Sequence, residues 1–151
     1  MMKPEIRDWL QENAFSIAAP QLNNATGVYP LILASQQGRS DVVNFLINQG
    51  AALDVADQYG NNALWAACYA DNHDCIGALI QAGIKINHPN AASGATALIF
   101  AASSGREAVV AQLLAAGADS TVKTHDDFTA LDLASTRKIL KLLSKLVKPG
   151  D

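Results

Sequence analysis

The sequence contains few cysteines, few aromatic residues and little charge. Two cysteines in 151 residues cannot supply the disulfide framework of a small secreted domain, so we expect a reducing compartment and a cytoplasmic location. Only 17% of the residues are charged and 50% are hydrophobic, which excludes the composition of a disordered chain. The net charge of −3 does not favour nucleic acid or an anionic membrane as the partner.

Long apolar runs are also missing. No uninterrupted apolar stretch approaches the roughly 18 residues that a transmembrane helix needs. The first twenty residues mix charges through every turn and lack the apolar segment of a secretory signal. We therefore expect no membrane partner, and a monomeric chain whose residues 1–151 form a single domain that buries a core without disulfides or metals.

One apolar segment occurs four times, at intervals of 33, 34 and 33 residues. Its copies are PLILAS at Pro30–Ser35, ALWAAC at Ala63–Cys68, ALIFAA at Ala97–Ala102 and ALDLAS at Ala130–Ser135. Two sets of apolar pairs recur in the same phase: Val42-Val43, Cys75-Ile76, Val109-Val110 and Leu142-Leu143, then Leu46-Ile47, Leu79-Ile80, Leu113-Leu114 and Leu146-Val147. A glycine closes each copy, at Gly50, Gly83, Gly117 and Gly150. Three markers with one period indicate a repeat protein.

Each copy has the pattern of two short helices joined by a turn and followed by a hairpin loop. Leu31 and Ala34 lie on one face of the first helix, and Gly38 begins the turn. The run DVVNFLINQG fits an amphipathic second helix that ends at its glycine. The following residues, rich in Asp, Asn and Gly, suit a tight hairpin. Such a helix pair buries its apolar faces only when it stacks on neighbouring copies.

These residues resemble the ankyrin-repeat family. The third copy carries the most similar residues: Gly94, Thr96-Ala97-Leu98, Ala101-Ala102, Gly105, Val109-Val110, Leu113-Leu114 and Gly117-Ala118-Asp119. The resemblance covers roughly Asn24 to Gly150 and implies an all-α solenoid of stacked helix–turn–helix units with projecting β-hairpin loops. It also implies protein binding through the hairpin tips and the concave helix face, without intrinsic catalysis.

The period divides the chain into segments with distinct expected roles. We predict an N-terminal cap helix and linker over 3–22, repeats over 24–56, 57–88 and 89–123, and a C-terminal repeat or cap over 124–151. In the cap, the run IRDWLQENA sets Ile6, Trp9 and Leu10 on one helical side and polar residues on the other. A terminal unit needs such a polar outer face for solubility.

Two places depart from the regular pattern. The extra residue of the 34-residue interval lies within Gly83–Gly94, and we expect it near His88-Pro89. In the last copy, Asp127 occupies the place of the hairpin glycine and Lys138 that of the inter-helix glycine. A shortened and shifted last helix that begins near Thr136 is therefore an alternative to a complete fourth repeat.

Two clusters of polar residues suggest chemistry, but the repeat phase explains both. Cys68, His73 and Cys75 suggest zinc or a Cys–His nucleophile, yet both cysteines occupy core positions and the paired spacing of zinc ligands is absent. The run His125-Asp126-Asp127 falls on a hairpin tip, where such residues are ordinary. Since phosphate-binding and hydrolase motifs are also missing, we predict no catalytic residue, no metal and no cofactor.

Nine aromatic residues are present, so their positions are informative. Tyr59 lies in the second hairpin, and Trp65 and Tyr69 lie four residues apart on the helix that follows. The resemblance places Tyr59 and Tyr69 on the concave groove, where aromatics among small polar residues suit a binding hot spot. Trp65 also suits packing between repeats. The predicted partner-binding residues are Val28, Gln36, Gln37, Gln58, Tyr59, Asn61, Trp65, Tyr69, Ser93, Ala95, Ser103 and Ser104.

We therefore predict a non-catalytic module that binds another protein. One alternative is a groove that binds a small molecule or holds a cryptic catalytic site. A further alternative is binding of nucleic acid or an acidic partner by the C-terminal helix, which gathers five of the eleven basic residues: Arg137, Lys138, Lys141, Lys145 and Lys148. The same cations are typical of a solvated helix face near its C-terminus.

Overall fold

The computed structural model describes residues 2–146, and these residues form eight α-helices and no β-strand. The helices are α1 (Pro4–Glu12), α2 (Pro30–Gln36), α3 (Ser40–Asn48), α4 (Ala63–Tyr69), α5 (His73–Gln81), α6 (Ala97–Ser103), α7 (Glu107–Ala115) and α8 (Arg137–Ser144). The predicted all-α class is confirmed. Every helix in this part of the chain is too short or too polar to cross a bilayer. Val147, Lys148 and Gly150, which the sequence analysis singled out, lie outside the described residues.

The described residues are organised in two compact units. The first unit comprises residues 2–58 and 62–84 and contains α1 to α5. The second unit comprises residues 59–61 and 85–146 and contains α6 to α8. Each unit has its own set of fully buried apolar side chains.

In the first unit, two helix pairs pack side by side. α2 packs against α3 and α4, while α5 packs against α3 and α4. The fully buried side chains include Leu31, Leu46, Leu64, Ile76 and Leu79. Burial of one such side chain contributes about 1.5–3 kcal/mol. The repeat period therefore predicts this core correctly.

Helix α1 lies within the segment that we predict to be the N-terminal cap. Pro4 occupies its first turn, where the missing N–H has no helical partner to lose. Ile6, Trp9 and Leu10 are buried, and the indole ring of Trp9 stacks on Phe15 with the ring centroids 5.4 Å apart. The opposite side of α1 is exposed, as a terminal helix requires.

In the second unit, α6 and α7 form a complete helix pair. The hydroxyl oxygen of Thr96 accepts a hydrogen bond from the Ile99 amide and caps the first turn of α6. Gly105 forms the corner between the helices with a φ of +75°, a conformation that side chains with a Cβ disfavour. α7 then buries Val109, Val110 and Leu113.

The last copy does not form a complete repeat. Residues 130–133 make only a turn, and α8 begins at Arg137 with the Thr136 side chain as its N-cap. The alternative of a shortened, shifted last helix is thus confirmed. α8 buries Ile139 and Leu143, while Leu146, which shares the repeat phase of the buried Leu46, Leu79 and Leu113, is 50% exposed.

The loop of the third copy contains the extra residue, but at a different place from the predicted one near His88-Pro89. In the first and last loops, the turn-closing bonds span three residues, from the Gly27 amide to the Asn24 carbonyl and from the Asp127 amide to the Thr124 carbonyl. In the third loop, the Gly94 amide donates to the Asn90 carbonyl, four residues earlier. The prediction of an insertion near His88-Pro89 is therefore wrong, since the turn is enlarged after Asn90.

Candidate partner-binding site

The first unit presents Tyr69 at the end of α4. The Tyr69 side chain is 61% exposed, and Trp65, one helical turn earlier, is half-buried. The amide of Trp65 donates to the side-chain oxygen of Asn62, which caps α4. Gln36 occupies the same phase on the neighbouring α2 and is also exposed. These two packed helices therefore expose an aromatic ring and an amide that donates and accepts hydrogen bonds.

The turn after α2 is fixed by side chains from two other segments. The indole Nε1 of Trp9 donates to Oε1 of Gln37 over 2.7 Å. The Asn72 side chain donates to the Gly38 carbonyl over 3.1 Å and also caps α5. The predicted site residue Gln37 is thus held by the cap helix. Two other predicted residues of this unit, Val28 and Gln58, lie exposed in loops.

The second unit holds its loops together through Asn90, which is 8% exposed. Its side-chain nitrogen donates to the Tyr59 carbonyl over 2.8 Å and to Oδ1 of Asn61. Its side-chain oxygen accepts from the amides of Ala92 and Ser93, over 2.8 and 2.9 Å. The Asn90 amide group therefore ties the loop that carries Tyr59 to the loop that carries Ser93.

Two histidines continue this pattern of contacts to backbone carbonyls. Nε2 of His88 lies 2.9 Å from the Gly60 carbonyl oxygen, and Nδ1 of His125 lies 3.2 Å from that of Ala92. At Gly60, a Cβ would lie 2.5 Å from the Cβ of Ala91, so only glycine fits between these loops. These contacts pack the loop that carries Tyr59 closely against the loop that carries Ala91.

The remaining predicted residues of the second unit differ in what they expose. Ser103, the last residue of α6, and Ser104, its C-cap, are exposed, and both hydroxyls donate to the Phe100 carbonyl, over 3.0 and 2.8 Å. Ala95 is only 9% exposed, so its side chain offers little surface to a partner. Tyr59 is 64% exposed and is the most prominent of this set.

Two family models match these helix pairs and loops. A model described as "Ankyrin repeats (3 copies)" matches residues 4–90, and one described as "Ankyrin repeat" matches residues 93–125. This chain belongs to the ankyrin-repeat family. Ankyrin repeats are generally protein–protein interaction modules and generally not enzymes.

Several larger proteins contain a similar ankyrin-repeat segment. The chain is 34% identical over 119 residues to "Nuclear factor NF-kappa-B p105 subunit" of Rattus norvegicus, which is 76% of this chain and 12% of that protein. It is 34% identical over 101 residues to "Ankyrin repeat and SOCS box protein 3" of Bos taurus, covering 66% and 19%. It is 35% identical over 109 residues to "Inversin" of Canis lupus familiaris, covering 70% and 10%. The matched segment is thus a small part of each relative.

The ankyrin-repeat phase identifies one surface residue that the sequence analysis missed. Phe128 occupies the same place in the last copy as Val28, Asn61 and Ala95 in the others, and its side chain is 46% exposed. The repeat period could have identified Phe128, because Val28, Asn61 and Ala95 were predicted as binding residues at the same place in their repeats. Asn90 was also missed, because the enlarged turn displaces it from the phase of the other loops.

The cysteines of the second ankyrin repeat lie in the core, as predicted. Cys68 and Cys75 are fully buried free thiols. Burial raises the pKa of Cys75 to about 11, so this thiol is protonated at neutral pH. Within residues 2–146, no three His, Cys, Asp or Glu side chains come close enough together to hold a metal ion. The tip residue Asp127 instead pairs with Lys123 at 3.5 Å.

An open cavity of about 360 Å³ lies in the first unit of this ankyrin chain. Its lining residues are Gln21, Leu22, Asn23, Tyr29, Pro30, Leu31, Gly50, Ala51, Ala52 and Val55. Ligand and catalytic sites usually combine an apolar pocket with convergent titratable groups. This lining contains no carboxylate, imidazole, thiol or amine, so it gives no support to the alternative of a catalytic groove.

Proposed function

We propose that this chain is a non-catalytic module that binds a partner protein, with Tyr69 as an anchor on the first unit and Tyr59 as an anchor on the second. The observation that carries the proposal is the exposure of these two rings, at 61% and 64%. A tyrosine ring that is mostly in water gains free energy when a partner buries it. Tyrosine is also among the side chains that dominate binding energy in interfaces.

Exposed polar residues on each unit also support the proposal. On the first unit, exposed Gln36 and Gln37 supply amide donors and acceptors. On the second, Ser93, Ser103 and Ser104 supply exposed hydroxyl groups. A polar rim around an aromatic anchor excludes water and fixes the orientation of the partner.

Preorganisation also supports a binding role. The bond from Trp9 fixes the Gln37 side chain, and the bonds of Asn90 hold the backbone of the loop that carries Tyr59, before a partner arrives. Ordering a mobile side chain on binding costs about 0.5–1.5 kcal/mol, and a fixed one avoids part of that cost. The surface is therefore suited to binding without rearrangement.

We also infer a cytoplasmic location. Both cysteines are free, and a reducing compartment preserves free thiols. Fractionation of the source cell, followed by detection of the chain in each fraction, tests this inference.

The decisive experiment compares tyrosine variants in capture of the partner. The partner is first identified by affinity capture on the wild-type chain and mass spectrometry, and its Kd is then measured by calorimetry. We expect Tyr69→Ala and Tyr59→Ala each to raise Kd by about thirtyfold, the equivalent of a 2 kcal/mol anchor. Melting temperature and helical content should stay near the wild-type values, because both rings are mostly exposed.

A matched control uses another exposed apolar residue. Leu22→Ala removes a side chain that is 57% exposed on the first unit and should leave Kd unchanged. A second variant, Lys141→Ala with Lys145→Ala, removes charge from α8 and tests the alternative of binding through that helix. If this lysine pair abolishes binding and the tyrosine variants do not, the tyrosine proposal is wrong.

A further inference from the structure

Helix α8 differs in charge from the other second helices of the repeats. Arg137, Lys138, Lys141 and Lys145 are all exposed, and residues 137–146 contain no Asp or Glu. The whole chain has a net charge of −3, so this face is a local positive patch on an acidic molecule. Such a patch creates a field that attracts negative charge.

The cations at the start of α8 oppose the helix dipole. α3, α5 and α7 each carry an acidic residue in the first turn, at Asp41, Asp74 and Glu107. That placement is favourable, because the N-terminus of a helix carries partial positive charge. α8 has Arg137 and Lys138 there instead and no acidic residue in its first turn. The helix is therefore less stable than an acidic first turn would make it.

The cations also repel one another along the helix. Arg137, Lys141 and Lys145 follow at four-residue intervals, and like charges at this spacing destabilise a helix. None of these three forms an ion pair with any residue in the described part of the chain, while Lys138 lies 3.9 Å from the Glu107 carboxylate. Residues that destabilise their own helix, and that form no compensating contact in the fold, are expected at functional sites.

An apolar side chain lies among these charges. Leu140 is 47% exposed, with Arg137 one turn before it and Lys141 beside it. The buried face of α8, formed by Ile139 and Leu143, is already used by the fold. α8 therefore has no continuous apolar face left to insert into a lipid bilayer. An exposed leucine among the cations is also unsuited to a phosphate backbone, which is charged at every nucleotide.

We propose that the exposed face of α8 binds an acidic segment of a partner protein, with carboxylates at Arg137, Lys141 and Lys145 and an apolar side chain on Leu140. Charge complementarity selects the partner, and contact with Leu140 distinguishes an acidic peptide from other polyanions. This face contains none of the residues of the proposed function. It gives the chain a second binding site.

The test uses defined probes with the full chain at low salt. The main probe is a fluorescein-labelled peptide of four Glu-Glu-Leu repeats. The comparison probe is the same peptide with serine in place of leucine. We expect the leucine peptide to bind more tightly than the serine peptide, with anisotropy that decreases as salt is added. Lys141→Ala with Lys145→Ala should raise Kd by about tenfold or more, because two of the cations are lost. Leu140→Ser should weaken only the leucine peptide.

The matched control removes the same number of charges elsewhere. Lys3→Ala with Lys85→Ala replaces two exposed lysines and should leave peptide binding unchanged. Circular dichroism verifies that each variant is folded, and Lys141→Gln with Lys145→Gln replaces the alanine pair if that pair unfolds. Tyr69→Ala should bind the peptide as the wild type does, so this test is independent of the tyrosine proposal.

Three results would overturn the inference. The first is no binding of the leucine peptide, and the second is an equal loss in the control lysine variant. The third is tighter binding of a single-stranded oligonucleotide, or of phosphatidylserine vesicles, than of the peptide. That third result would assign the face to nucleic acid or to membrane.

Discussion

The third and last repeats begin alike and then diverge. Thr96 caps α6 by accepting a hydrogen bond from Ile99, and Thr129 accepts one from the amide of Asp132, also three residues later. α6 continues to Ser103, whereas the last repeat makes only a turn over 130–133. A threonine cap and an apolar pattern therefore start a helical turn but do not complete a helix pair.

The corner residue accounts for the divergence. Gly105 takes a φ of +75° between α6 and α7, and Asp71 takes +56° at the same place in the second repeat. In the last repeat this place belongs to Lys138, which lies inside α8. Asp tolerates the left-handed conformation better than Lys, because its short side chain bonds to nearby backbone. Because the last repeat has no corner residue at this place, α8 begins three residues earlier in the repeat period than α7 does.

The largest expected difference between the two repeats concerns a pair of leucines in the same phase. Leu113 is fully buried in α7, while Leu146 is 50% exposed. Leu113→Ala should lower the free energy of unfolding by about 2–5 kcal/mol, because it leaves a cavity. Leu146→Ala should change it by less than about 0.5 kcal/mol. Urea unfolding followed by circular dichroism measures both, and equal losses would contradict the shifted position of α8.

A medium effect is expected at the corner. Gly105→Ala places a Cβ 3.4 Å from the Ser135 hydroxyl, an ordinary contact, so the cost comes from the backbone conformation. That cost is about 1–2 kcal/mol. Lys138→Gly should cost about 1 kcal/mol or less, because glycine weakens a helix interior. If Gly105→Ala has no effect on the melting temperature, the corner does not explain the difference.

The smallest effect is expected at Asp132, which stands where the third repeat has the buried Ile99. The Thr129 backbone N–H, and then the Thr129 side chain, lower the pKa of this exposed carboxyl. A lowered folded-state pKa means that its stabilising effect is present at neutral pH and disappears as the pH falls through that pKa. Carbon-detected NMR titration should place the Asp132 pKa below the ordinary aspartate value. Thr129→Val should move it part of the way back, and an unchanged value would exclude the hydroxyl contribution.

The fold was largely predictable because the repeat period places apolar residues in phase. Buried Leu64, Cys75 and Leu113 follow directly from that phase. The period could not locate the enlarged turn, because hydrogen bonds of the Asn90 side chain fix the position of that turn. An apolar pattern in the sequence does not reveal such bonds. A complete last repeat and a shifted last helix remained alternatives, because the leucines of α8 fit two phases and only packing selects between them.

The exposure of the predicted binding residues does not follow from the repeat period in the way that burial in the core does. The repeat period assigns each residue to a place within its repeat. The exposed fraction of the side chain at that place depends on how the loop closes. Ala95 and Phe128 share one position, yet the first is 9% exposed and the second 46%. Side-chain size and local loop geometry decide this difference, and neither follows from the period.

The contacts of the loops with backbone carbonyls have a consequence for how such a chain changes over evolution. Asn90 and His88 reach the carbonyl oxygens of Tyr59 and Gly60. Every amino acid carries a carbonyl oxygen, so replacing Tyr59 with another residue preserves the bond from Asn90. New side chains can therefore be sampled at this tip without loss of the scaffold, and binding preference can diversify while the architecture is inherited unchanged.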